Sequence, residues 1–191
     1  VNVKNVQGVR MNNVDLQSAV PAPLTPATEG GYGLMVADKG EVRMSNGSIS
    51  NAAYGVFATR TGQIWLDTVN INNVSNYGVL LTDGASARIQ KSNISVNLPE
   101  TDFFEAAIAM YRGASMRIRD NSVISNAGGS GSGVHVALSV YIKGQLRLDK
   151  GVNSITGDVF LGDMTHVELR DFTLVGNVNI GEQSMLKVRD S

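Results

Sequence analysis

The chain has 191 residues, 42% of them hydrophobic and 17% charged, which is enough apolar material for a sizeable core and argues against disorder. Sixteen basic and seventeen acidic residues leave a formal net charge of −1, so composition lends no support to a nucleic-acid partner. Cysteine is absent, which excludes disulfides, a thiolate metal site and a cysteine nucleophile, and no apolar run approaches the about 18 residues of a membrane-spanning helix.

Glycine is frequent at 21 and proline scarce at 4, a balance that suits short strands joined by tight turns. In chain order, one motif recurs: apolar-polar-apolar, then an aliphatic residue five positions on. It starts at Val9-Arg10-Met11 with Leu16 and returns at Val42-Arg43-Met44 with Ile49 and at Ile64-Trp65-Leu66 with Ile71. It continues at Ala87-Arg88-Ile89 with Ile94 and at Met116-Arg117-Ile118 with Val123. Weaker copies stand at Leu146-Arg147-Leu148, Val167-Glu168-Leu169 with Leu174, and Leu186-Lys187-Val188. Between them runs a second apolar motif: Tyr32 to Val36, Tyr54 to Ala58, Tyr77 to Leu81, Ala106 to Met110, Gly133 to Val136, Asp158 to Leu161 and Asn177 to Ile180.

Alternation within a strand puts every second side chain on one face. Two inward columns follow, one from Val9 to Leu186 and one from Met11 to Val188, and every member is apolar. A unit of roughly 20–23 residues holding two or three strands is one coil of a solenoid. No amphipathic helix fits, so the expected fold is an all-β, right-handed parallel β-helix, with residues 1–191 as a single segment. Longer spacings mark inserted loops near 19–31, 98–105 and 126–133. Asn51, Asn73, Asn97 and Asn126 recur after the second strand and suit a hydrogen-bonded turn column. The chain does not begin with Met, shows no signal-peptide pattern, and ends in repeat rather than in a polar cap. The expectation is a piece of a longer β-helix.

Stretches such as Tyr54-Gly55-Val56-Phe57-Ala58, Gly62 to Ile71, Tyr77 to Ser95, Ile155 to Val159 and Leu174 to Val178 carry a resemblance over roughly residues 30 to 191. There the chain resembles the passenger domains of pertactin-like autotransporters of Gram-negative bacteria. The resemblance implies an extracellular or cell-surface segment, followed in the full protein by an outer-membrane β-barrel. It implies an adhesin or virulence factor whose rigid stalk captures a host cell-surface, matrix or serum protein, or an anionic glycan. Pertactin carries an Arg-Gly-Asp tripeptide; here the nearest sequence is Arg112-Gly113-Ala114, so that route to integrins has no support.

β-Helices also serve as polysaccharide lyases and phage tailspike depolymerases, so a carbohydrate-active role is the alternative. Such sites need convergent carboxylates. Asp67 and Asp149 occupy equivalent positions three coils apart, about 14 Å at strand spacing, too far for an acid/base pair. His135 and His166 lack partners at metal-ligand spacing, and phosphate-loop, dinucleotide and nucleophile-elbow motifs are missing. The expectation is no enzyme, no metal and no cofactor.

The candidate binding residues lie on the outward side of the first motif. Its middle position reads Arg10, Arg43, Trp65, Arg88, Arg117, Arg147, Glu168, Lys187. Stacked like charges repel, and Glu41, Asp67, Asp149 and Glu168 are placed to offset them. Arg43, Trp65, Arg88, Arg117 and Arg147 form a stripe suited to an anionic glycan or an acidic protein patch, with Trp65 stacking on a sugar ring or on arginine. Phe103 and Phe104, in an inserted loop, are a second possible contact.

Overall fold

A computed structural model describes residues 1–17, 31–96, 106–126, 136–140, 143–149, 151 and 153–189. Strand β1 (Asn2–Lys4) precedes a first coil of β2 (Val9–Asn12), β3 (Asp15–Gln17) and β4 (Tyr32–Ala37). The next two coils are each one continuous strand that bends at its corners, β5 (Glu41–Ala58) and β6 (Gln63–Leu81). Then come β7 (Ser86–Gln90), β8 (Asn93–Val96) and β9 (Ala106–Met110), followed by β10 (Ser115–Arg119), β11 (Val123–Asn126) and β12 (Val136–Val140). A further coil holds β13 (Gln145–Asp149), β14 (Asn153–Thr156) and β15 (Asp158–Leu161). The last described strands are β16 (His166–Arg170), β17 (Phe172–Val175), β18 (Val178–Ile180) and β19 (Met185–Arg189).

The strands stack into three parallel columns, as the two motifs require. In the first, Val9 pairs with Val42, Val42 with Ile64, Ile64 with Ala87, and so on through Met116, Leu146 and Val167 to Leu186. Each step is one strand spacing, about 4.8 Å. The inward residues of the middle coils are sealed: Val42, Met44, Ile64, Leu66, Ile89, Ile118, Leu148, Val167 and Leu169 are all buried. They join Ile49, Ile71, Ile94, Ile124 and Ile155 of the second column in one continuous core.

Tight turns join the third column to the first. Asp38 and Lys39, Arg60 and Thr61, Asp83 and Gly84, and Arg112 and Gly113 each adopt paired positive φ angles, with the Gly40, Gly62, Ala85 and Ala114 amides closing the turns at 2.9–3.2 Å. Arg112-Gly113 is thus a turn dipeptide like its stacked equivalents. Charge alternates along this edge: Asp38 pairs with Lys4 and Arg60, and Asp83 with Arg112.

The third column explains the repeated Tyr-Gly pair. A Cβ at Gly55 would lie 2.6 Å from the Gly78 carbonyl oxygen, and one at Gly78 would lie 2.5 Å from that of Ala107. Only glycine lets the backbone of one coil sit this close to the next. Outside, Tyr32, Tyr54 and Tyr77 stack with centroids 5.0 and 5.7 Å apart. Their faces are spent on one another, so the ladder ties coils together. Farther along, burial with Tyr77 beside it pushes the Tyr111 phenol above its ordinary pKa.

Four sequence readings need correction or restriction: first, the second-column aliphatic after Met116-Arg117-Ile118 is the buried Ile124, which pairs with Ile94, and not Val123, which is exposed beside Asn93. The third-column strand after the Gly/Ser-rich stretch runs from Val136 to Val140, not Gly133 to Val136, because Leu138 and Val140 are the residues that pair with Ile108 and Met110. The asparagine column is shorter than expected. Asn73 donates to Asn51, but the register places Val96, not Asn97, beside Asn126. Asn126 is therefore a buried residue in a valine's place, 2% exposed; Asn97 lies outside the described residues. The loops expected near 19–31, 98–105 and 126–133 fall between Gln17 and Tyr32, Val96 and Ala106, and Asn126 and Val136. All three therefore fall between a second-column strand and the third-column strand that follows it.

Candidate binding groove on the first column

The middle outward positions of the first column align as expected: Arg10, Arg43, Trp65, Arg88, Arg117, Arg147, Glu168 and Lys187 stand in unbroken register. A second outward row runs beside them, from Asn12 through Ser45, Asp67, Gln90 and Arg119 to Asp149. Asp149 of this second row and Glu168 of the first take up the arginines near them.

In the C-terminal half the charges are consumed. Asp149 accepts two hydrogen bonds from Arg117, at 3.0 and 2.7 Å, and lies 2.8 Å from Arg147 Nε. Glu168 accepts from Arg170 at 3.0 and 2.7 Å, with Arg147 and Arg189 each 3.9 Å away. Burial of the Asp149 carboxyl raises its pKa, but the hydrogen bond from Arg117 and the Arg147 charge outweigh it and hold the group below its ordinary value. The Arg170 hydrogen bond does the same for Glu168. Arg117, in turn, is raised by its hydrogen bond to Asp149. Both acids therefore stay anionic, which makes them poor proton donors.

In the N-terminal half most cations remain available. The Arg43 guanidinium lies 4.6 Å from the Trp65 ring centre and 3.2 Å from Glu41, so it is fixed from two sides while part of its edge faces solvent. Trp65 therefore stacks on arginine, one of the two partners expected for it. Arg10 and Arg88 have no hydrogen bond or ion pair among the described residues, and the Arg88 Nε is buried without a partner. Asp67 accepts from Thr68 and pairs with no cation among the described residues. Together these residues line an open groove of about 650 Å³ that runs across Arg10, Arg43, Trp65, Arg88 and Arg119, with Asn12, Ser45, Asp67 and Gln90 along it.

A smaller depression of about 320 Å³ lies over the paired half and includes Ser115, Arg117, Arg147, His166 and Glu168. Ser115 and His166 are each in register with Gln145, so two strand spacings, about 9.6 Å, separate them and a serine–histidine pair does not form. Among the described residues no three of His, Cys, Asp and Glu come together as metal ligands.

The stacked parallel register is the deciding observation, and the right-handed β-helix family model matches residues 1–169. The chain belongs to the right-handed β-helix family. Comparison with curated proteins and with solved structures gave no match. As a right-handed β-helix, the chain carries a fold that serves both enzymes and non-enzymes, so function has to come from its surface.

Of the residues that sequence singled out, the structure brings Arg43, Trp65 and Arg88 into one groove and ties Arg117 and Arg147 into the Asp149 network. Phe103 and Phe104 lie outside the described residues, as does His135. Sequence reasoning missed Gln90 and Arg119 as groove residues. Their signal was present, two positions after Arg88 and Arg117 on the same strand face.

Proposed function

We propose that this chain is a non-catalytic segment of a secreted or surface-displayed bacterial protein. Its rigid β-helix presents the Trp65 groove to an anionic partner on a host glycan, matrix protein or serum protein. The observation that supports this reading is the split of the basic stripe: Arg10 and Arg88 have no partner among the described residues and line an open groove, while Arg117 and Arg147 pair with Asp149. The rigid sheet has little backbone entropy to lose on binding, and guanidinium groups fit carboxylate, sulfate or phosphate. The resemblance to pertactin-like passengers supports an extracellular site, with the outer membrane reached through a barrel elsewhere in the full protein. The lack of cysteine agrees with export of an unfolded chain.

The alternative, a carbohydrate-active β-helix, draws on the convergence of Asp149 and Glu168 with several arginines on one face. Their lowered pKa values speak for a salt network, because glycoside cleavage needs a carboxyl that holds its proton. The test is binding of the folded chain to acidic glycans and to matrix and serum proteins at several salt concentrations, with product analysis of the same glycans. Salt-sensitive binding without cleavage, abolished in Arg43→Glu/Arg88→Glu, is the expected result. Cleavage lost in Glu168→Gln would replace this reading by the enzymatic one.

A further inference from the structure

We infer that Arg88, Gln90 and Arg119 form a subsite for a terminal sulfo or phospho group within the groove; this rests on the groove being a binding site for anions.

Four outward positions of β7 and β10 make a square. Arg88 and Gln90 lie two apart on β7; Arg117 and Arg119 stand opposite them on β10. The four corners behave differently. Arg117 is turned away, because both of its bonded nitrogens reach Asp149. The other three line the groove.

The Nε atoms of Arg88 and Arg119 are both buried and without a hydrogen bond. Arg119 Nε makes no hydrogen bond but forms an ion pair with Asp120 Oδ2 at 2.8 Å, so its charge is partly offset, whereas Arg88 has no partner among the described residues. The two arginines stand on diagonal positions, about 7–8 Å apart by backbone, with Gln90 at the corner between them and the open groove over all three.

A carboxylate matches one guanidinium edge-on, as Asp149 matches Arg117. Donors that converge from two strands call for more oxygens. A sulfo or phospho group presents three terminal oxygens, one for the groove-facing guanidinium edge of each arginine and one for the Gln90 amide between them. Two acids flank the square, Asp67 opposite Gln90 on β6 and Asp120 beside Arg119. They limit the site to a single anionic group and disfavour a second one alongside it.

The experiment uses the one tryptophan of the chain, Trp65, which stands next to Arg88 in register and reports on the groove by its fluorescence. Heparin, inorganic polyphosphate and hyaluronan are titrated into the folded chain; the first carries sulfo groups, the second phospho groups, the third carboxylates only. Arg88→Gln, Arg119→Gln and the double variant are compared with Arg43→Gln, with circular dichroism confirming the fold. The expected result is at least tenfold weaker binding of heparin or polyphosphate in the double variant. Hyaluronan binding should change less than threefold, and Arg43→Gln should weaken all three polymers. The polymer that shows the larger loss tells sulfo from phospho. Equal losses for hyaluronan and the other two would overturn the subsite and leave the groove standing as a general anion site. No binding of any polymer by the folded wild type would overturn both. If the double variant fails to fold, Arg88→Gln alone carries the test, since that side chain is only half-buried.

Discussion

The two halves of the first column are built from the same residue types on the same backbone, yet they end in opposite states. Arg43 and Arg88 in the N-terminal half face a groove. Arg117 and Arg147 in the C-terminal half share a carboxylate that is 7% exposed. Part of the difference lies in one neighbouring position. The outward residue two places after the arginine is Gln90 after Arg88, but Asp149 after Arg147. A basic stripe is therefore not one feature. Its acids divide it into a part that stabilises the helix and a part free to bind.

The strongest test of that division reverses charge in each half. Arg43→Glu/Arg88→Glu should weaken heparin binding by more than a hundredfold, since each charge-assisted contact is worth about 1.5–3 kcal/mol. Arg117→Glu/Arg147→Glu should change binding less than threefold and lower thermal stability instead. Isothermal titration and a melting curve on each variant decide the matter; comparable binding losses in both would erase the distinction.

Removing the shared acid should convert one half towards the other. Asp149→Ala leaves Arg117 and Arg147 without their main partner. Loss of one member of a buried pair costs about 3–5 kcal/mol. Here the arginines are 39% and 45% exposed, so the expected loss is about 2 kcal/mol in urea unfolding once solvent screening is allowed for. The same variant should bind heparin several-fold more tightly, because two guanidinium groups are released. Tighter binding is the part of this prediction that a purely structural view of the stripe does not share.

Coil stacking offers a control that should affect both halves alike. Gly55→Ala places a methyl group 2.6 Å from the Gly78 carbonyl oxygen and from Ile71. Overpacking of this kind costs about 1–3 kcal/mol, seen as a lower denaturation midpoint with little change in affinity per folded molecule.

The smallest effect expected is on acid stability. Asp149 and Glu168 titrate below their ordinary values in the folded chain. Their contribution to stability is present above the unfolded pKa and disappears as pH falls through the folded one. Melting temperature should therefore fall more steeply below about pH 4 in the wild type than in Asp149→Asn. Parallel curves for the two proteins would show that the network does not couple to protonation.

Much of this molecule can be read without coordinates. The apolar-polar-apolar triplets identify the first column and its register residue by residue from Val9 to Leu186, because in a stacked coil the same inward position must be apolar in every turn. The Tyr-Gly pairs and the long spacings mark the third column and its insertions for the same reason. Where glycine and serine dilute the pattern, before Val136, the strand boundary shifted, since periodicity needs apolar side chains to be visible. The column of Arg10, Arg43, Trp65, Arg88, Arg117 and Arg147 was equally legible, being fixed by strand alternation alone. Which of those arginines are free was not. That depends on side-chain reach: Arg117 extends across one coil spacing to Asp149, Arg43 packs on Trp65 and Glu41, and Arg88 meets no acid among the described residues. Column membership is a property of the chain's period, whereas pairing is settled by distances of about 3 Å between groups that lie in different coils, and only the tertiary structure sets those.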